Sequence, residues 1–277
     1  MSFSVNTNVG AMVALQNLNM TQQSLATTEN RINTGLKVAS AKDNAAVWAI
    51  AQNQRATSSS LNSVVSSLQR GQSTVDVALS AGTSVADLLN QMKEKALAAS
   101  DSTLDTNSRA ALNAEFTSLR DQINKVVNNA VFNGANMIKS GGTTIQALGN
   151  ADATSVITVA SQDLSLGGSV LTASLGTTAT INTVTSATAM ISTVNTAIAN
   201  ISSAMGKLGT GSKALASHLT FIQSLQNTID AGIGNLVDAN LAQESANLQA
   251  LQTKQQLGIQ ALSIANQSSS VLLGLFR

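Results

Sequence analysis

The residue types that catalysis and metal binding need are sparse in this chain. It contains one histidine, His218, and no cysteine among its 277 residues. His218 lies in a long helical pattern without a neighbouring nucleophile motif, so we interpret it as a surface or interface residue. No spacing typical of a zinc site, a nucleophile elbow or a phosphate-binding loop occurs. Without cysteine, the chain has no disulfides, thiolate metal sites or cysteine nucleophiles.

Two carboxylates near the C-terminal end, Asp238 and Glu244, are the nearest approach to an acid–base pair. Residues six positions apart lie on different faces of a helix. We therefore interpret both as solvated groups or as partners in ion pairs between chains, rather than as general acid and base. Trp48, the single tryptophan, lies on a helix with an apolar stripe and is interpreted as a core residue. The sequence supports no enzymatic function, and no cofactor or metal is expected.

The composition favours a helical protein that binds neither nucleic acid nor membrane. Aromatic residues make up 2% and charged residues 10% of the chain, against about 25% charged residues in a typical domain. Proline is absent, which suits long uninterrupted helices. A net charge of +1 gives no electrostatic basis for attraction to nucleic acid or to an anionic membrane. No apolar run approaches the ~20 residues of a membrane span, and residues 1–30 do not resemble a cleavable signal peptide.

Heptad patterns at both ends of the chain predict two terminal helices that pair in antiparallel fashion. The first helix is expected to end at Gly35, and its seam positions are Ala11, Ala14, Leu18, Thr21, Leu25, Thr28 and Ile32. The stripe of the second helix consists of Leu241, Leu248, Leu251, Leu262 and Ala265. A single helix cannot bury such a stripe alone, and the two ends of one chain supply only two helices. We therefore predict that further copies of the chain complete the packing.

The residues that we expect to be buried between copies are all apolar, and each lies near one end of the chain. They are Val5, Val9, Leu18, Leu25, Ile32, Leu241, Leu248, Leu251, Leu262, Val271, Leu272 and Leu273.

Between the two ends, the pattern is helical with one β-rich insert. Asp43 is expected to cap a helix over residues 44–99, with an interruption at Gly71, and a second helix covers Leu112–Val126. Residues 139–187 are rich in threonine, serine, valine and isoleucine with period-2 alternation, which predicts short strands and a hairpin.

The longest heptad frame covers residues 191–236 and predicts the core of an intramolecular bundle with the two preceding helices. One seam row is expected to contain Ile191, Ile198, Met205, Leu219 and Ile233. The other row is expected to contain Val194, Ile201, Leu208, Leu215, Ile222, Ile229 and Leu236. Gly206, Gly209 and Gly211 mark a predicted weak point. The frame shifts at Asn240, which we interpret as a joint between an inner and an outer domain.

The predicted fold class is therefore mainly α: a long antiparallel helical bundle or coiled coil with a small β-hairpin insert. It has two discontinuous domains. Residues 1–42 and 235–277 form the inner one, and residues 43–234, with the insert at about 139–187, form the outer one.

Motifs at both ends resemble those of bacterial flagellins. Residues 31–37 (RINTGLK) and 40–46 (SAKDNAA) look like the N-terminal signature of that family, and residues 132–134 (FNG) match its turn. Residues 235–244 (NLVDANLAQE) and 264–267 (IANQ) are similar to its C-terminal motifs. The short middle region is most similar to flagellins of α-proteobacteria. The chain departs from the family at Val47-Trp48, where Gly-Leu is usual, and at Asn240, where Asp is usual.

The resemblance implies a structural subunit that polymerises helically into the extracellular flagellar filament for swimming motility. The two domains would then resemble the D0 and D1 domains of flagellins. The implied partners are further copies of the chain and sibling flagellins, the flagellar export apparatus, the filament cap and the hook-junction proteins. Two alternatives stay open at this point: a hook–filament junction protein of the same superfamily, and an amphipathic membrane-active protein. The polar faces of the helices lack the basic rim that the second alternative needs.

In many flagellins, the innate flagellin receptor binds a segment with the sequence Leu-Gln-Arg-Val-Arg-Glu-Leu. The resemblance also locates the counterpart of this segment in the present chain. Here it consists of Leu89, Asn90, Gln91, Met92, Lys93, Glu94 and Lys95. An arginine and the last apolar anchor are missing, so we expect weak receptor activation.

Overall fold

The computed structural model describes residues 7–171 and 175–274, with side chains as far as Gln267. In this part the chain forms five helices and a two-stranded sheet. In chain order they are α1 (Val9–Thr34), α2 (Ala45–Ala99), α3 (Thr106–Asn129), β1 (Ile145–Leu148), β2 (Val156–Val159), α4 (Val184–Val237) and α5 (Leu241–Gly274). The predicted fold class, mainly α with a small β-hairpin insert, is confirmed.

The chain divides into two compact units. The first contains residues 1–56 and 228–277, and the second contains residues 57–227. The divisions fall inside α2 and α4, so each of these long helices contributes to both units. The domain boundaries predicted at 42/43 and 234/235 stay a prediction.

In the first unit, α1 has well-defined ends. Asn8 precedes the helix, and its Oδ1 accepts a hydrogen bond from Ala11 N at 3.0 Å. This bond satisfies one of the amides that a helix N-terminus leaves without a partner. The helix ends at Gly35, whose φ of +70° lies in the left-handed region that favours glycine. The predicted C-terminal glycine is confirmed.

The residue that caps α2 differs from the prediction. Asn44 Oδ1 accepts a hydrogen bond from Val47 N at 3.1 Å, so Asn44 is the cap and the assignment of Asp43 is wrong. Asp43 Oδ2 instead accepts bonds from Ala39 N (3.1 Å) and Ser40 N (2.9 Å) and closes the turn before the helix. The hydrogen bonds from the Ser40 backbone and hydroxyl lower the pKa of Asp43.

A small apolar cluster lies beside this turn. It contains the buried residues Val38, Ala51, Ile233 and Val237, and Trp48 packs against it as a partly buried residue. The backbone amides of Lys37 and Val38 both donate to Val237 O, at 2.6 and 3.2 Å. The position of Trp48 agrees with its interpretation as a core residue.

Within the second unit, α2 continues without a break through Gly71, contrary to the expected interruption. A Cβ at Gly71 would lie 3.2 Å from Ile145 Cγ2 and 3.4 Å from Ala147 Cβ. The glycine that interrupts the apolar stripe therefore lets strand β1 approach the helix closely.

Helix α4 buries the first five members of one predicted row, whereas the last two, Ile229 and Leu236, are half-buried. Of the other predicted row, only Ile233 is buried. Val194, Ile201, Leu208, Leu215 and Ile222 are at most 1% exposed. The second buried row contains Ala197 and Ala204, one position before the predicted Ile198 and Met205, which are only half-buried. The helix is unbroken through Gly206, Gly209 and Gly211, so the predicted weak point is not an interruption.

The β-hairpin is anchored on the helices of the second unit. Strands β1 and β2 pair antiparallel with Ile145 opposite Val159 and Leu148 opposite Val156. Leu148 N donates to Ser67 Oγ of α2 at 3.1 Å. The predicted hairpin within the insert is confirmed.

Candidate assembly interface

Helix α1 presents a single face to α5. The seven predicted seam residues of α1 are all buried or half-buried: Ala11, Ala14, Leu18, Thr21, Leu25, Thr28 and Ile32. Every other residue of α1 is exposed except Arg31, which is half-buried. The seam residues Leu18, Leu25 and Ile32 therefore lie in the contact between two helices of one chain.

The matching face of α5 has the same heptad spacing but begins later than predicted. Its half-buried members are Leu248, Leu251, Gln255, Gly258, Leu262 and Ala265. Leu241 is 50% exposed and lies outside this face, while Glu244, three residues further on, is buried.

Two contacts define the register of α1 and α5 towards the ends of the chain. A Cβ on Gly258 would lie 3.3 Å from Leu18 Cδ1, so the glycine makes room for the leucine. Further along, Asn8 Nδ2 donates to Ala265 O at 2.7 Å. Because both the packing and this hydrogen bond depend on position along the helices, a shift by one residue would break them together.

An ion pair joins the other end of the two helices. Arg31 NH1 lies 3.1 Å from Glu244 Oε1, with side-chain exposures of 36% and 11%. The second oxygen, Glu244 Oε2, is buried and has no hydrogen-bond partner among the described residues. Glu244 therefore pairs within the chain, contrary to its interpretation as a solvated or interchain group, whereas Asp238 is exposed.

Large apolar side chains outside this contact face remain uncovered. We call them the exposed terminal set: Val9, Met12, Val13, Leu15, Met20, Leu241, Leu257, Ile259 and Ile264, each 48–68% exposed. Monomeric proteins expose single apolar side chains without consequence, but a concentration of them on one helix pair marks an interaction surface.

Of the residues predicted to be buried between copies, Val9 and Leu241 belong to the exposed terminal set. Val5 and the side chains of Val271, Leu272 and Leu273 lie outside the part that the structure describes. The other members of the set were missed because they fall outside the heptad positions. For the missed members on α1, the signal that identifies them is an apolar stripe wider than a two-helix seam requires.

The segment that resembles a receptor-binding site lies on α2 in the second unit. Leu89 and Met92 are fully buried, whereas Asn90, Gln91 and Glu94 are exposed and Lys93 is half-buried. Lys95 Nζ lies 2.5 Å from Glu115 Oε2 of α3. This hydrogen bond raises the pKa of Lys95.

The contacts of His218 are structural and do not form a catalytic arrangement. Its Nε2 lies 2.7 Å from Gly149 O, and since a carbonyl oxygen only accepts, Nε2 carries the proton. The ring also contacts Phe221 at a centroid distance of 5.7 Å. Among residues 7–171 and 175–274, no three histidine, cysteine or acidic side chains form a metal site. None of the helices in the described part has the length and apolar character of a membrane span.

Comparison with known proteins covers both ends and the full length of the chain. Residues 5–143 match the family model of the bacterial flagellin N-terminal helical region, and residues 191–276 match that of the C-terminal helical region. The chain is 57% identical over 274 residues to flagellin FljK of Caulobacter vibrioides, with 99% of this chain and 98% of the relative covered. It is 35% identical over 283 residues to a flagellin of Brucella melitensis, with 99% of both covered.

A solved structure from Vibrio parahaemolyticus, described as a flagellar hook-associated protein, has a similar fold. Its TM-score is 0.57 at 16% identity, and the match covers 71% of this chain and 100% of that chain. At this identity the likeness concerns the fold alone.

Proposed function

The chain belongs to the bacterial flagellin family, and from that premise we propose that it is a structural subunit that polymerises helically into the flagellar filament for swimming motility. One observation carries the mechanism: nine large apolar side chains on α1 and α5 are 48–68% exposed after these helices have packed on each other. A surface that binds a different surface of the next copy does not close on itself and so generates a filament. The role is structural and needs neither cofactor nor metal.

The exposed terminal set supplies a driving force of the required order. Full burial of a large apolar side chain is worth about 1.5–3 kcal/mol, and about half of each of the nine remains to be covered. Association costs about 4–15 kcal/mol in lost translational and rotational freedom. Covering the exposed part of the whole set therefore offsets a cost of this size, whereas covering one or two residues does not.

We assign residues 1–42 and 235–277 to the inner layer of the filament and residues 43–234 to the outer layer, with the insert at about 139–187 facing outwards. The presence of both chain ends in one compact unit supports this assignment. The polymerisation contacts would include Val5, Val9, Leu241 and the segment Val271–Leu273 together with the exposed terminal set.

We also propose that the chain is exported through the flagellum's own channel and functions outside the cell. Its further partners would be the export apparatus, the filament cap, the hook-junction proteins and sibling flagellins. Absence of cysteine and proline supports this, because refolding after export then requires no disulfide formation and no prolyl isomerisation.

Electron microscopy and sedimentation of the concentrated full-length protein test the proposed function. We expect long regular filaments. Leu257→Asp with Ile264→Asp should keep the protein soluble and unpolymerised, because it places two charges in the exposed terminal set without touching the α1–α5 contact face. The matched control, Gln256→Asp with Gln260→Asp, adds the same charge at exposed positions of α5 and should polymerise better than the first variant. A persistent monomer would contradict the proposal, short rings would favour a junction protein, and binding to vesicles would favour a membrane-active protein.

A further inference from the structure

Two methionines lie on the exposed surface of α1, whereas the other described methionines are covered. Met12 is 61% and Met20 50% exposed. Met92, Met137 and Met190 are buried, and Met205 is half-buried. An oxidant that reacts with accessible thioethers therefore meets Met12 and Met20 first in the free subunit.

The two methionines line one shallow groove. Its lining residues are Met12, Leu15, Gln16, Asn19, Met20 and Gln23, around a volume of about 380 Å³. They are spaced by threes and fours and so lie along one side of α1. None of them belongs to the face that α1 presents to α5.

The chemistry of the groove fits a second copy of this chain. The lining contains three apolar side chains, two glutamines and one asparagine but no charge, so it suits an uncharged apolar surface. Leu257, Ile259 and Ile264 of α5 provide such a surface, with exposures of 55–68%. Methionine side chains are flexible and polarisable, which suits a contact between neighbouring helices.

We infer that the groove at Met12 and Met20 is covered by a second copy in the polymer, and that oxidation of these two methionines by a peroxide blocks polymerisation of the free subunit. This inference rests on the proposed function. It adds a modification site and a chemical condition under which the subunit loses its ability to assemble.

The reaction needs only hydrogen peroxide. The lone pair of the methionine sulfur attacks one peroxide oxygen, the O–O bond breaks and an S–O bond forms. The sulfur loses two electrons, the peroxide gains them, and after proton transfer the second oxygen leaves as water. The product is a polar, chiral sulfoxide, which methionine sulfoxide reductases convert back.

A sulfoxide in the groove opposes assembly because a polar oxygen would be buried against apolar side chains without a hydrogen-bond partner. The fold itself should survive, since the buried methionines of the second unit are protected. Loss of assembly with retained helicity is therefore the expected signature of oxidation at Met12 and Met20.

The experiment compares peroxide-treated and untreated full-length protein. Intact mass and peptide mapping determine which methionines carry oxygen, circular dichroism checks the fold, and sedimentation measures polymerisation. We expect oxidation mainly at Met12 and Met20, and a loss of about tenfold or more in the polymerisation equilibrium. Treatment with methionine sulfoxide reductases should restore polymerisation. In filaments assembled before treatment, both methionines should react several-fold more slowly than in the free subunit.

Two leucine variants separate oxidation at the groove from oxidation elsewhere. For Met12→Leu with Met20→Leu, the ratio of treated to untreated polymerisation should stay near one, whatever the yield of the untreated variant. The Met205→Leu variant keeps both groove methionines. After peroxide treatment its polymerisation should fall as much as that of the unsubstituted protein.

Two different failures are distinguishable. If untreated protein does not polymerise, the proposed function falls and this inference falls with it. If treated protein carries oxygen at Met12 and Met20 and polymerises like untreated protein, or if both methionines react equally fast in filaments and free subunits, this inference alone is overturned.

Discussion

Gly211 of α4 lies directly against Val159 of β2. An ideal Cβ on Gly211 would stand 2.5 Å from Val159 Cγ1 and 2.9 Å from Cγ2, far inside the ~3.5–4.0 Å of carbon–carbon contact. We expect Gly211→Ala to force the hairpin away from the helix and to lower the free energy of unfolding by about 1–3 kcal/mol. The higher helix propensity of alanine offsets only part of this loss. Thermal melting followed by circular dichroism measures it.

Gly206 on the same helix provides the matched control. No atom lies within 4 Å of the position that its Cβ would occupy. Gly206→Ala should therefore raise the free energy of unfolding by up to about 1 kcal/mol through helix propensity alone. Shifts of the melting temperature in the same direction for both variants would show that the contact with Val159 is not the reason for glycine at 211.

The carboxylate of Asp105 at the start of α3 leads to a prediction about the stability of the fold at acidic pH. Its carboxylate accepts hydrogen bonds from the Ser108 hydroxyl at 2.6 Å and from the amides of Asn107 and Ser108. The Ser108 hydroxyl is the main cause that lowers the pKa of Asp105 below its ordinary value of 3.8. A lowered pKa means that the carboxylate stabilises the fold above that value and that this contribution disappears as the pH falls through the folded-state pKa.

Asp105→Ala should therefore lower the melting temperature at neutral pH, and the difference from the unsubstituted protein should shrink as the pH falls below 3.8. Asp105→Asn keeps a good capping side chain without a charge that titrates, so its own contribution should not change over this range. A difference between the alanine variant and the unsubstituted protein that is constant from neutral pH to strong acid would contradict the role of the carboxylate.

The contact face of α1 shows which features the sequence determines. Leu18, Leu25 and Ile32 repeat every seven residues, and Gly35 ends the helix as expected. A helix with one regular heptad stripe has one way to bury it against a single partner. For this reason the α1 face could be predicted residue by residue, and the β-rich insert was located by its change of period.

Helix α4 and the exposed terminal set show where the pattern fails. The heptad frame selected Ile198 and Met205 because they are large, but the structure buries Ala197 and Ala204 instead. A close approach of packed elements requires small side chains, and a ranking by hydrophobicity cannot foresee it. Met12 was missed because it falls outside the heptad positions, and its partner is expected on another copy. The pair Arg31–Glu244 was missed because its members are 213 residues apart.

The Arg31–Glu244 pair should stabilise the contact between α1 and α5. Arg31→Ala would leave the buried Glu244 carboxylate without its partner. Breaking a fully buried pair costs about 3–5 kcal/mol, but Arg31 is 36% exposed, so we expect about 1–2 kcal/mol after screening by solvent. Hydrogen exchange of the α1 and α5 amides measures the loss of protection.

A double-mutant cycle tests whether the effect belongs to the pair. Glu244→Gln in the Arg31→Ala background should restore part of the protection, because a neutral amide is less costly to bury than a lone carboxylate. Strictly additive effects of the two substitutions would show that the residues do not interact energetically.

Weak activation of the innate flagellin receptor is the prediction for the segment from Leu89 to Lys95. Leu89 and Met92 are fully buried and unavailable to a partner, and Lys95 is engaged by Glu115. Gln91→Arg with Lys95→Leu brings the segment closer to the one found in strongly sensed flagellins and should raise the response in a reporter-cell assay. A response of the unsubstituted protein equal to that of a strongly sensed flagellin would contradict the prediction.

Removal of either chain end should abolish assembly and leave the second unit folded. We expect that deletion of residues 1–32 or of residues 241–277 abolishes polymerisation, because each deletion removes one helix of the α1–α5 pair and with it part of the exposed terminal set. The second unit keeps its own core, in which Leu61, Leu89, Phe116 and Leu208 are at most 1% exposed. Residues 43–236 should therefore remain helical and melt cooperatively.

Circular dichroism and sedimentation on both truncated proteins check this expectation. The helical signal should fall by the contribution of α1 and α5 together and no more, because the terminal helix that remains has lost its partner. The sedimentation coefficient should remain that of a monomer at concentrations where the full chain forms filaments. Filaments from a truncated chain would show that the terminal helices are not the polymerisation surface. Loss of the cooperative melt would show instead that the second unit depends on the α1–α5 pair for its stability, since its apolar core alone would then not offset the conformational entropy of about 1–2 kcal/mol per ordered residue.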